Sequence, residues 1–358
     1  MSKAAELAAL IGSQTALSNR NLIINGAMQV DQRNATTTAT GYTVDRFLVA
    51  KSNFDELVIA ITQDTDNPSG NGFSNSLKVA VTTAESAQAA NEVMYLEQRI
   101  EGQNLQQLAY GTSSAKSLTL SFWVKSPLAG KHSVLFYQTT PNRSNLQSYT
   151  VSSANTWEYK TITIDGDTSG NIANDNTSEF SVFWPLSSGT DFTGTPHTGW
   201  GAHSNTDDFA HSDSVNIAAQ TGNFFLTGVQ LELGEQATPF EHRSVHDELA
   251  RCQRYYWQVA GASQIVGQGF YYSTSEFDCI VNLPQTMRAA PTFTPSNNSG
   301  DFQVTNISDA FDTWTAQQFF DGSRVNVYVT SGVSGTKGDS GYVRHMNSTS
   351  KIQFDAEL

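Results

Sequence analysis

Three histidines and three aspartates share one stretch of the chain: His197, His203 and His211, with Asp207, Asp208 and Asp213. Imidazole and carboxylate are the ligand types of transition metals. The same residues in a long polar loop are ordinarily just solvated, so no metal is expected there. Among them, in Thr198-Gly199-Trp200-Gly201-Ala202-His203, Trp200 is flanked by glycines and does not read as core. A sugar lays its apolar face on such a ring, while its hydroxyls find Asn, Asp, Gln and Arg. Trp200, His197 and His203 therefore form the candidate ligand-binding set. Asp165-Gly166-Asp167, followed by Ser169, Asn171, Asn174 and Asp175, offers oxygen ligands for Ca²⁺ without EF-hand spacing. A turn rich in Asn and Asp is the simpler reading.

Catalysis is not expected. The sequence holds no nucleophile elbow, no Gly-rich phosphate loop and no metalloprotease helix. Sugar hydrolysis needs two carboxyls aimed at one cleft from separate strands. The 34 acidic residues allow many such pairs and select none. No cofactor is implied.

The elements that must position these residues are strands. Leu118, Leu120, Phe122 and Val124 alternate with Thr119, Ser121 and Trp123, the period of a half-buried strand. Trp123, on a strand with apolar neighbours, is expected in the core, and residues 131–138 are expected to pair with 116–125 as a hairpin. Asn21 to Arg33 reads as two strands around an Asn25-Gly26 turn. Residues 224–232 alternate and close this block. Residues 185–213 read as a long polar loop.

From Ser244 the period changes. Val245, Leu249, Cys252 and Tyr256 fall on one helical face behind a Ser244 cap with Asp247 and Glu248 in the first turn. Beyond it, residues 263–272, 277–283, 302–307, 324–329 and 352–356 read as strands of a smaller block. Tyr255, Tyr256 and Trp257 are too dense an aromatic run for solvent and read as an inter-domain or subunit contact. Arg243, Arg251 and Arg254 beside Glu241, Asp247 and Glu248 read as a charge lattice around that junction, of small energetic worth if exposed.

Apolar residues make up 38% and charged residues 15% of the 358, with 26 glycines; this favours many short strands. A formal charge of -14 repels phosphate backbones, which argues against nucleic acid as a partner. No run of eighteen apolar residues exists, so no membrane insertion is expected. Cys252 and Cys279 are expected to be reduced, though a single bridge between them stays open. Leu7, Leu10 and Ile11 line one face of a short amphipathic N-terminal helix, read as a docking peptide for a partner surface or as a frayed end.

Several motifs in order, RNLIINGAMQVDQR, GYTVDRF, SLTLSFWVKS, LTGVQLELGEQATPFEHRS, ELARCQRYYW and PQTMRAAPTFT, resemble a group of tailed-bacteriophage tail-fibre and related virion structural proteins. The resemblance covers most of residues 20–295. The first block is also similar to jelly-roll carbohydrate-binding modules. The resemblance implies an external virion protein, a homotrimer attached to other virion proteins through its N-terminus, contacting a host-surface glycan. A capsid decoration or head fibre, a stand-alone carbohydrate-binding module and a depolymerase are the rival readings. The expected organisation is all-β: an anchor at 1–20, a jelly-roll sandwich at 21–240, a linking helix at 241–260 and a smaller antiparallel β domain at 261–358.

Overall fold

The computed structural model describes residues 19–34, 36–305, 309–319 and 322–358. The stripe at Leu7, Leu10 and Ile11 lies outside the described residues. The chain divides into two compact units, one running to Glu248 and joined by Leu358, the other Leu249–Glu357. Among the described residues, both are all-β apart from short helical segments.

The first unit contains β1 Gly41–Tyr42, β2 Leu48–Ser52, β3 Val58–Asp64, β4 Ser76–Thr83, β5 Val93–Glu101, β6 Leu118–Lys125, β7 Gly130–Gln138, β8 Arg143–Val151, β9 Glu158–Ile164, β10 Ser178–Ser188, β11 Gly201–Ala202 and β12 Gly222–Leu233. They form a seven-stranded sheet, β1-β2-β5-β10-β7-β8-β11, and a five-stranded sheet, β3-β4-β12-β6-β9. The chain crosses repeatedly between the two, the wiring of a jelly-roll sandwich.

Alternation decides what lies between the sheets. Leu118, Leu120, Phe122 and Val124 are buried in one cluster with Phe136, Phe180, Val182 and Trp184 from the opposite sheet. Phe122 meets Trp184 edge to face, with ring centroids 5.9 Å apart. Such a pair adds about 0.5–1.5 kcal/mol to what burial alone contributes. Trp123 is not in this core. It lies on the other face of β6, half-buried, with its ring 5.4 Å from that of Tyr159. The expected 116–138 hairpin is also absent, because β6 pairs with β12 and β9 while β7 pairs with β8 and β10. A period-2 pattern fixes which face is buried, not which strand lies alongside.

Residues 21–33 form no strand, contrary to the expected hairpin. Asparagine side chains supply the hydrogen bonds a ladder would have made. Asn21 Nδ2 donates to the Val229 carbonyl at 3.0 Å, and Asn21 Oδ1 accepts from the N–H groups of Ile23 and Leu231. Asn25 Nδ2 donates to the carbonyls of Val30 and Asp45. Asn25 stands at φ 60, a left-handed conformation that Asn tolerates better than most residues. Gly26 runs so close to β12 that an added Cβ would sit 2.1 Å from the Val229 oxygen.

The charge lattice is only partly a surface feature. Arg243 has an 8% exposed side chain and bridges Glu241 at 2.9 Å and Glu248 at 2.8 Å. It also donates to the carbonyls of Ile23 and Asn21. At Arg243 the condition of exposure is therefore not met: this is a buried ion-pair cluster, costly to break from one side. Ser244 accepts from the N–H of Asp247 at 3.1 Å, capping the helix Val245–Gln253.

The second unit contains β13 Tyr256–Ala260, β14 Ile265–Ser273, β15 Glu276–Asn282, β16 Thr292–Pro295, β17 Phe302–Val304, β18 Asp309–Phe311, β19 Ala316–Phe319, β20 Arg324–Val329, β21 Ser340–His345 and β22 Lys351–Asp355. A three-stranded sheet, β13-β22-β16, accompanies a seven-stranded one, β18-β17-β21-β14-β15-β20-β19. The expected helix stops short of Tyr256, which opens β13 and pairs with Asp355. The Trp257 ring stacks on Phe354 at 5.7 Å, and Tyr255 and Tyr256 are buried within the chain itself. Cys252 and Cys279 are both free and buried.

Candidate functional site

The segment between β10 and β12 is more structured than a polar loop. It contains a short 3-10 turn at Thr190–Phe192, the strand β11 and a helical turn, Asn205–Asp208. Phe209 and Ala210 anchor it by packing with Val93, Leu135 and Leu146 on the outward face of the seven-stranded sheet. Phe183 and Leu135 face each other across β10 and β7 on that same face. These strands are thus apolar on both sides, and the segment covers the outer one.

The covering segment separates the three nominated residues. His197 is tied down: Nδ1 lies 2.8 Å from Asp208 Oδ1, and Nε2 lies 2.8 Å from the Ser144 carbonyl oxygen. An added Cβ at Gly201 would sit 2.5 Å from this imidazole, so a glycine is needed there. His203 sets its ring 4.8 Å from that of Tyr137, and its Nε2 is 2.9 Å from Asn205 Oδ1. Those residues line a cleft of about 230 Å³ with Leu135, Asn142, Phe183 and Phe209. His211 lies apart, beside Lys131 and Asp213. Among the described residues, no group of three or more His, Cys, Asp and Glu side chains converges on one point.

Trp200 faces a second and larger cleft, of about 450 Å³. Its indole N–H donates to the Asp165 carbonyl at 2.7 Å. Its ring packs edge-on to Tyr110 at 5.8 Å and tilted to Phe180 at 6.2 Å, leaving it half-buried. The other wall comes from β8, through Arg143, Asn145 and Gln147, and from the end of β9 at Thr163 and Ile164. This is the seam where the two sheets approach edge to edge, floored by residues 165–169. The Trp200 loop is pinned to it because β11 pairs Gly201 with Ser144 and Ala202 with Arg143.

The polar groups of the seam are held in place. Arg143 Nε donates to Asp167 Oδ2 at 2.6 Å and Nη2 to Oδ1 at 3.1 Å. Gln138 Nε2 and the Ser169 N–H add bonds at 2.7 and 3.0 Å to this 2% exposed carboxylate. Burial pulls the Asp167 carboxyl upward, but the Arg143, Ser169 and Gln138 bonds outweigh it and hold the group below the ordinary carboxylate range. Gln147 donates to Asn145 Oδ1 at 2.7 Å. Asp167 is therefore committed to Arg143 instead of forming the Ca²⁺ turn weighed from sequence. The exposed Asp165 contributes its main-chain oxygen to Trp200. Arg143, Asn145 and Gln147 carry no local sequence signal; only the pairing of β8 with β11 and its nearness to β9 brings them to Trp200.

No family model matches the chain, and no curated protein matches it. Among solved structures it is similar to an enzymatically active domain of tailspike protein 4 from bacteriophage CBA120, at 12% identity and TM-score 0.35, over 60% of this chain and 22% of that one. The chain thus spans about a fifth of that domain. It is also similar to a family 11 carbohydrate-binding module of a Clostridium thermocellum cellulase, at 14% identity and TM-score 0.30, over 57% of this chain and 97% of that one. A xylan-binding domain from Paenibacillus barcinonensis aligns at 11% identity and TM-score 0.26, over 62% of this chain and all of that one.

Proposed function

We propose that the chain is a non-catalytic structural protein of a tailed-bacteriophage virion, a tail fibre or receptor-binding component that holds a host-surface saccharide in the seam cleft. The observation that carries this reading is the setting of Trp200. A half-buried indole stands in one wall, and the amides of Asn145 and Gln147 and the side chains of Thr168, Ser169 and Thr198 surround the space beside it. That is the arrangement a pyranose requires, a ring face for its C–H groups and fixed polar groups for its hydroxyls. The virion part of the proposal rests on the ordered motifs across residues 20–295, as do trimer formation and attachment through the N-terminus.

The absence of catalysis belongs to the same proposal. Glycoside hydrolysis needs a carboxyl that carries a proton at working pH. Asp167 is held ionised by Arg143 and so is not suited to be that acid. Calorimetric titration of the intact chain with oligosaccharides from host surface polymer tests the binding. Trp200→Ala is expected to weaken binding at least tenfold with the fold intact. Equal affinity of the variant would overturn the assignment of the site.

A further inference from the structure

We infer that the seam cleft takes uncharged saccharide chains and turns away acidic ones, and that Asp167 sets this choice. The inference rests on the saccharide-binding reading above and concerns the class of chain admitted.

Among the described lining residues Arg143 is the one cation, and Asp165 and Asp167 are the carboxylates. The lining is thus negative by one charge, on a chain whose formal charge is already -14. An acidic sugar is best recognised by a guanidinium gripping its carboxylate through two parallel N–H bonds. The Nε–Nη2 edge of Arg143 is already spent on Asp167, at 2.6 and 3.1 Å. Displacing Asp167 would also break its bonds from Gln138 and Ser169, in a group 2% exposed. A uronate entering without displacing it would lie beside like charge, which disfavours it. An uncharged chain meets no such obstacle. Its hydroxyls both donate and accept, and so match Asn145, Gln147, Thr168, Ser169, Thr198 and the Asp165 carboxylate.

The test uses the intact chain, neutral hexose oligosaccharides and oligogalacturonates of equal length, titrated at low and at moderate salt. The wild-type chain is expected to prefer the neutral set at least tenfold. Asp167→Asn removes the charge that occupies Arg143, and should raise oligogalacturonate affinity about tenfold in a salt-sensitive way. Asp165→Asn keeps the Arg143–Asp167 pair and the main-chain bond to Trp200, and should raise it about threefold even if Asp167→Asn proves unstable. Tighter wild-type binding of oligogalacturonate than of neutral chains would overturn the inference, as would folded variants of unchanged selectivity. If neither set binds the wild-type chain at all, the saccharide reading itself fails; that outcome is distinct from binding with the wrong selectivity.

Discussion

The indole N–H of Trp200 meets the main-chain oxygen of Asp165 at 2.7 Å, joining the two loops that wall the seam cleft. The bond fixes the plane of the ring, so the residue has two separable roles. Trp200→Phe keeps an aromatic face and loses the hydrogen bond, a loss of about 0.5–1.5 kcal/mol. Its expected effect is a small fall in thermal stability and a saccharide affinity between those of wild type and Trp200→Ala. Thermal melts and titration of the two variants side by side check this ordering.

The sandwich core should separate Phe122 from its neighbour Trp123. Phe122 is buried against Trp184, whereas Trp123 is half-buried beside Tyr159 on the opposite face. Phe122→Ala is expected to cost about 3–5 kcal/mol in urea denaturation, and Trp123→Ala clearly less.

Two of these features were legible in the sequence to different degrees. The alternation of Leu118, Leu120, Phe122 and Val124 is a property of β6 itself, so its buried face could be read directly. Its partners could not, because jelly-roll crossings place β7 in the other sheet. Residues 21–33 escaped because the side chains of Asn21 and Asn25, not a backbone ladder, satisfy the main chain there. Tyr256 fits a helical face and a strand equally well over so short a window, and pairing with β22 decides for the strand. Trp200 stood out because glycines isolate it. Its companions Arg143 and Asn145 did not, since they reach it only through the closure of the sandwich.

His132 should make stability depend on pH. It is buried, its ring stacks on Tyr149 at 5.1 Å, and burial pushes its pKa down to about 4. Because the folded value lies below the ordinary one of 6.5, the ring is held neutral. Its contribution is complete above about pH 6.5 and is lost as pH falls toward 4, up to about 3 kcal/mol in all. His132→Gln should flatten the difference in stability across that window, measured by urea melts at successive pH values. A profile parallel to wild type would contradict the assignment. The variant removes the contribution of His132 alone, leaving the similarly lowered His211 and His345 unchanged.

Arg243 holds Glu241 and Glu248 while donating to the carbonyls of Asn21 and Ile23. Arg243→Ala leaves two largely buried carboxylates unpaired, an expected cost of about 3–5 kcal/mol. Arg251→Ala, on the helix that follows, serves as the control with a smaller expected loss. Equal effects of the two would mean that the Arg243 cluster behaves as a surface lattice after all.

The central claim is that a saccharide sits in the seam cleft, and the most direct measurement is a crystal structure of the intact chain with its tightest-binding oligosaccharide. The account predicts a pyranose ring against the indole of Trp200, within hydrogen-bond reach of Asn145 or Gln147. A sugar lodged elsewhere, such as on the Trp123–Tyr159 pair of the five-stranded sheet, with the seam empty, would contradict it.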